Sequence, residues 1–190
     1  MTTATHQLFA LLLAFWLLTV SPVMVGPLVG VAAVVAVMVG AITPDLDQPT
    51  ATIWRRVLGA RTLGTIFQEF SGGHRHLTHS FVGIGLIGFL THYAITHWLT
   101  PAIVPTALVI WFAYLVGYIS HPIADSLTDW GVPWFWPLPI HIKVPPGPEE
   151  LRVTTGTWVE LLLVRGGILA AGIFLLSGHW PTLVAFFTQA

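Results

Sequence analysis

Cysteine is absent from the sequence. No disulfide can staple the fold and no thiolate can hold a metal, so any ion falls to imidazole and carboxylate, a donor set suited to zinc, manganese, iron or magnesium. Charge is nearly as scarce: 8% of the 190 residues are charged, seven basic and eight acidic, for a formal net charge of −1. No basic field exists to hold nucleic acid, which argues against a nucleic-acid partner. So little polarity also cannot cover a soluble fold of this length. What takes its place is apolar: 55% of residues are hydrophobic and the mean hydropathy is +0.80. The length fits one domain over 1–190.

Apolar runs near the length that crosses about 30 Å of hydrocarbon occur at roughly 7–25, 27–43, 80–98, 102–121 and 158–177. The last is extendable through 180–188. The first follows a segment with no basic residue and ends in no small-residue cleavage pattern, so it reads as a retained helix rather than a signal peptide. The expectation is an all-α polytopic bundle of about five transmembrane helices. Pro22, Pro27, Pro101 and Pro105 mark turns, and the short connections at 22–27 and 98–102 make two hairpins. The long connections, 44–78 and 126–157, then share a side with the N-terminus. They hold Arg55, Arg56, Arg61, Arg75, Lys143 and Arg152, which predicts a cytoplasmic location for that side. Thr52 to Phe70 mixes Ile53, Trp54, Val57, Leu58, Leu63, Ile66 and Phe67 with basic residues and reads either as an interfacial helix or as a plain connecting loop. Trp130, Trp134, Phe135 and Trp136 are expected to anchor at the headgroup level rather than to line a substrate pocket.

Crossing parity sorts the polar residues. His6, Asp45, Asp47, His74, His76, His79, His121, Asp125 and Asp129 fall at one membrane face, whereas His92, His97 and His179 fall toward the other. His121 and Asp125 are four apart, on one helical face if the helix continues past Pro122. They can share an ion or bond to each other and to nearby backbone. Asp45 and Asp47 leave a helix at a turn, where Asp makes Asx turns and two close carboxylates can converge on a metal. Three imidazoles in His74-Arg75-His76-Leu77-Thr78-His79-Ser80 favour a ligand role, with Thr78 or Ser80 capping the helix or holding a ligand. Arg75 is suited to bidentate contact with a phosphate. Glu160 lies within the last span as a metal ligand or an ion-pair partner, and Arg165 in a structural or substrate-phosphate role.

With Pro44-Asp45-Leu46-Asp47, then His74-Arg75-x-x-Thr78-His79-Ser80, then Gly117-Tyr118-x-x-His121-x-x-x-Asp125-Ser126, the chain resembles the YdjM-like family of inner-membrane proteins, regarded as metal-dependent hydrolases. His6, Gly131, Trp136-Pro137 and Thr155-Gly156-x-x-x-Glu160 belong to the same match. His76 departs from it, standing where that family often has glycine. The order of the residues is also similar to that of the zinc-dependent phospholipase C and P1 nuclease class. That resemblance implies His6, Asp45, His79, His121, Asp125 and Glu160 as ligands, with Asp47 bridging or acting as base. The expected protein is thus a metal-dependent hydrolase of the inner membrane, using one to three divalent ions, zinc or alternatively manganese. It would cleave a phospholipid-like or other amphiphilic phosphoester, with Asp47, Arg75 and Asp125 catalytic and His74 a further ligand. A metal-ion transporter and a structural metal site are the rival expectations.

Overall fold

The computed structural model describes residues 1–21, 23–51, 54 and 60–188. Among them run α1 (Thr3–Val20), α2 (Pro27–Gly40), α3 (Ala60–Phe70), α4 (Phe81–Trp98), α5 (Val104–Ser126) and α6 (Arg165–Thr188), with a π-helical turn, Val159–Val164, leading straight into α6. Short 3-10 turns cover Pro44–Asp47 and Leu77–His79. The described residues contain no strand. Two isolated bridges, Thr128 to Val153 and Val132 to Ile142, tie down the long connection after α5.

Four stretches are long and apolar enough to cross a membrane: Thr3–Val20, Pro27–Asp47, Val104–Ser126 and Val159–Thr188. The fifth expected crossing is the helix α4, which has the length at 18 residues but falls short of the others in hydropathy. The cause is local: Thr91, His92, Thr96 and His97 crowd its distal half. The stretch at 180–188 continues α6, bent at His179 (φ −128°, ψ 24°) just before Pro181. Of the expected interfacial segment, residues 52, 53 and 55–59 lie outside the described residues, Ile53, Arg55, Arg56, Val57 and Leu58 among them. The remainder is α3, whose Leu63 and Ile66 are exposed one turn apart.

The surface and interior are inverted relative to a soluble protein. Leu28 is 82% exposed and Phe174 77%, while the largest fully buried side chains include Tyr118, His6, His79, His121 and Glu160. An apolar exterior suits acyl chains, and ionisable groups of membrane helices face the bundle interior. Hydrophobicity cannot drive such helices together in lipid, so close backbone contact must. It occurs where α2 crosses α5: a Cβ on Gly40 would stand 2.1 Å from the Tyr114 carbonyl oxygen, and one on Gly117 would stand 2.0 Å from that of Val37. Below this crossing Ala10, Val37 and Ala41 form a small apolar core with Leu11, Ala14 and Ala113 packed on it. The crossing brings the turn after α2, with Asp45 and Asp47, against the last turns of α5, with His121 and Asp125.

Candidate metal centre

Five elements deliver polar side chains to one end of the bundle: the start of α1, the turn after α2, the turn before α4, the end of α5 and the start of α6. This is the antiparallel arrangement that crossing parity requires. Two groups of donors converge there, His6 with His121 and Asp125, and Asp45 with His79 and His121, each closing to within 4.8 Å. Donors at about 2.1 Å from a common ion lie roughly 3.4–4.2 Å apart, so both groups are close to coordinating distances.

Hydrogen bonding fixes which nitrogens face inward. His121 Nδ1 lies 2.7 Å from the Ala41 carbonyl oxygen, which can only accept, so in the neutral ring Nδ1 carries the proton and Nε2 keeps its lone pair. Thr78 Oγ1 donates to Asp47 Oδ2 at 2.5 Å and therefore accepts from His79 Nδ1 at 2.9 Å, which leaves His79 Nε2 bare in the same way. Neither Nε2 has a hydrogen-bond partner, nor does His6 Nδ1, although all three atoms are fully buried. Unsatisfied polar atoms at this depth cost about 1–3 kcal/mol each unless something outside the chain takes them up. Burial is the main force holding the His79 imidazole below its ordinary range, with His121 adding to it and Asp47 opposing. A neutral imidazole is the form that ligates. The His6 and His121 rings stack at 3.7 Å, and His79 meets His121 edge-on at 5.0 Å. Either group, His6, His121 and Asp125 or Asp45, His79 and His121, has a donor chemistry that fits a borderline divalent ion.

Asp125 is the hub. Its Oδ1 lies 2.6 Å from the Met1 amino group and 3.2 Å from His6 Nε2. Its Oδ2 lies 2.7 Å from Arg75 Nη2, 3.6 Å from His121 Nε2 and 3.9 Å from His79 Nε2. Arg75 reaches this point from a left-handed backbone, φ 62°, after Gly72 and Gly73 at φ 81° and 113°. It also donates to Thr128 Oγ1 at 3.2 Å and the Gly131 carbonyl at 3.4 Å.

Not every expected residue joins the groups. Asp47 is fully buried with both oxygens spoken for: Oδ1 by His74 Nδ1 at 2.6 Å, Oδ2 by the Arg75 backbone N–H at 3.0 Å and by Thr78. It brackets the His74–His79 turn and orients His79. His74 thereby points at Asp47, and His76 Nδ1 sits 3.0 Å from the His74 carbonyl oxygen, outside both groups. Glu160 stands apart, accepting from the Thr2 N–H, the Thr2 hydroxyl and the Gly156 N–H, all at 2.7 Å. Ser80 caps α4 by accepting from the Gly83 N–H at 3.1 Å. Trp134 folds over the start of α4 against Phe81 and donates to Ser126 Oγ at 2.8 Å, while Trp130 is exposed. Sequence reasoning missed the Met1 amino group, which no spacing announces, and the Tyr118 hydroxyl, which donates to the Thr78 carbonyl at 2.8 Å and steadies the same turn. Asp129 has a buried oxygen, Oδ1, without a hydrogen-bond partner and belongs to neither group.

The inner membrane protein YdjM of Escherichia coli is 29% identical over 104 residues, 54% of this chain and 47% of that protein, and the YdjM of Shigella flexneri matches equally. The chain thus spans about half the length of these curated relatives. The uncharacterized protein YvsG of Bacillus subtilis is 27% identical over 134 residues, 70% of this chain and 71% of its own. No solved structure matches. The family model for the YdjM inner membrane protein covers residues 1–188, and the chain therefore belongs to that family of integral inner membrane proteins.

Proposed function

We propose that this protein is a membrane-embedded metal-dependent hydrolase that cleaves a phosphoester with metal-activated water. The observation that carries the reading is the set of buried, unpartnered imidazole nitrogens of His6, His79 and His121 beside Asp45 and Asp125. A divalent ion, zinc or manganese, would supply a water of lowered pKa there and neutralise charge developing on a phosphoryl oxygen. His121 belongs to both donor groups but has one nitrogen to give, because Nδ1 is committed to Ala41. One ion shared by five donors fits this better than several.

The open edge of the cluster is marked by Asp45, His74 and Arg75, whose side chains are 23%, 29% and 13% exposed, whereas His6, His79 and His121 are sealed. The Asp45 carboxylate makes a single polar contact among the described residues, 3.4 Å from Oδ1 to His121 Nε2. With one oxygen given to the ion, the other can accept a proton from an attacking water, a role for which Asp47 has no free oxygen. Arg75 holds Asp125 in place and presents its guanidinium at the same edge, where it can also bind a phosphoryl oxygen. The basic residues of the flanking connections support placing this edge on the cytoplasmic side. The test is turnover of short-chain phosphodiesters and phospholipids by the zinc- or manganese-loaded protein in detergent. Asp45→Asn, which keeps one oxygen donor for the ion but loses the basic carboxylate oxygen, is expected to lower kcat by about 10²-fold or more while the remaining four donors still bind metal at saturation. Equal turnover by wild type and Asp45→Asn, or none by wild type on any phosphoester, would remove the assignment.

A further inference from the structure

Beyond the metal cluster, along the α1–α6 seam, a second feature points outward into the bilayer. Phe9, Leu12, Leu13 and Trp16 of α1 and Ala171, Phe174 and Leu175 of α6 line a cleft of about 320 Å³. Every lining residue is apolar, and both helices belong to membrane spans. Thr2 and Thr5 continue the α1 stripe of Phe9, Leu12 and Trp16 by helical spacing. Arg165 is bonded to both of them, Nε to Thr5 Oγ1 at 2.9 Å and Nη2 to Thr2 Oγ1 at 2.7 Å.

A guanidinium carries five N–H groups. The two hydroxyls take two, and neither N–H of Nη1 has a partner among the described residues. No carboxylate lies within ion-pair distance of Arg165 among those residues; Glu160 is reached only through the Thr2 hydroxyl. A half-buried cation within a span is costly without an anion, and Arg165, six residues after Val159 and so about 9 Å from the start of its span, can extend its side chain toward the level of lipid phosphates. We infer that the α1–α6 face binds one anionic phospholipid, its phosphate on Arg165 and an acyl chain in the cleft. The site stands independently of the metal cluster and of hydrolysis.

The experiment is native mass spectrometry of the detergent-purified protein offered equal phosphatidylglycerol and phosphatidylcholine. Wild type is expected to retain one phosphatidylglycerol about fivefold over phosphatidylcholine, the size of one basic contact at a membrane surface. Arg165→Gln should reduce the ratio to about one and Arg165→Lys should keep most of it. Ala171→Trp, which fills the cleft at a lipid-facing position and leaves the charge alone, should abolish retention of both lipids. Equal retention of the two lipids by wild type, an undiminished ratio in Arg165→Gln, or wild-type retention in Ala171→Trp would each overturn the inference. Should Arg165→Gln fail to fold, wild type and Ala171→Trp decide it, and apoprotein must give the same result as metal-loaded protein.

Discussion

Asp125 meets the Met1 amino group, His6, Arg75, His79 and His121 within 4 Å, so one carboxylate ties the start of α1 and the turn before α4 to the end of α5. Asp125→Asn keeps the shape and removes the charge, and bound metal per chain should fall by about tenfold or more while membrane insertion, which depends on the apolar spans, stays intact. Unchanged metal content in Asp125→Asn would show that this carboxylate is not a donor. Asp47 separates orienting from ligating: Asp47→Asn should weaken metal affinity by about 10–100-fold, read by chelator competition, yet still load fully at saturating metal. The gathering of His6, Asp45, His79, His121 and Asp125 was legible in the sequence because crossing parity alone assigns an end of the bundle to each residue. The division of labour was not. Whether Asp47 faces an ion or the Thr78 hydroxyl depends on a side-chain angle within one turn, and Glu160 is diverted by hydroxyl and amide donors from Thr2 and Gly156 that no spacing predicts.

At the scale of elements, the α2–α5 crossing does most to assemble the cluster. Gly117→Val would drive a side chain into the Val37 carbonyl. Such overpacking against backbone should cost about 3 kcal/mol or more and abolish metal binding together with stability, measured by unfolding in mixed detergent. The start of α6 acts differently. Glu160 and Arg165 clasp Thr2 and Thr5, the residues just before His6. Glu160→Gln has fewer accepting lone pairs for three donors, so it should loosen metal affinity without changing the number of ions bound; loss of an ion at saturation would make Glu160 a ligand after all. The spans themselves were legible from hydropathy and proline placement. The status of α4 was less so, since Thr91, His92, Thr96 and His97 leave it an apolar helix of spanning length whose mean hydropathy falls below that of the other four stretches.

The described residues form an inside-out bundle, with the buried ionisable groups gathered at one end and apolar side chains facing lipid. Its sidedness is testable because the chain has no native cysteine. A Gly147→Cys variant should be labelled by a membrane-impermeant maleimide only from the cytoplasmic side, and Thr100→Cys, in the turn between α4 and α5, only from the other. Labelling of both from one side would remove the α5 crossing that separates them. The most direct test of the central claim is metal per chain, by plasma mass spectrometry on detergent-purified wild type beside a His79→Ala, His121→Ala double variant. Wild type should hold about one zinc or manganese tightly per chain and the double variant none. A wild type that binds no metal after mild reconstitution, or a double variant that keeps it, would contradict the account.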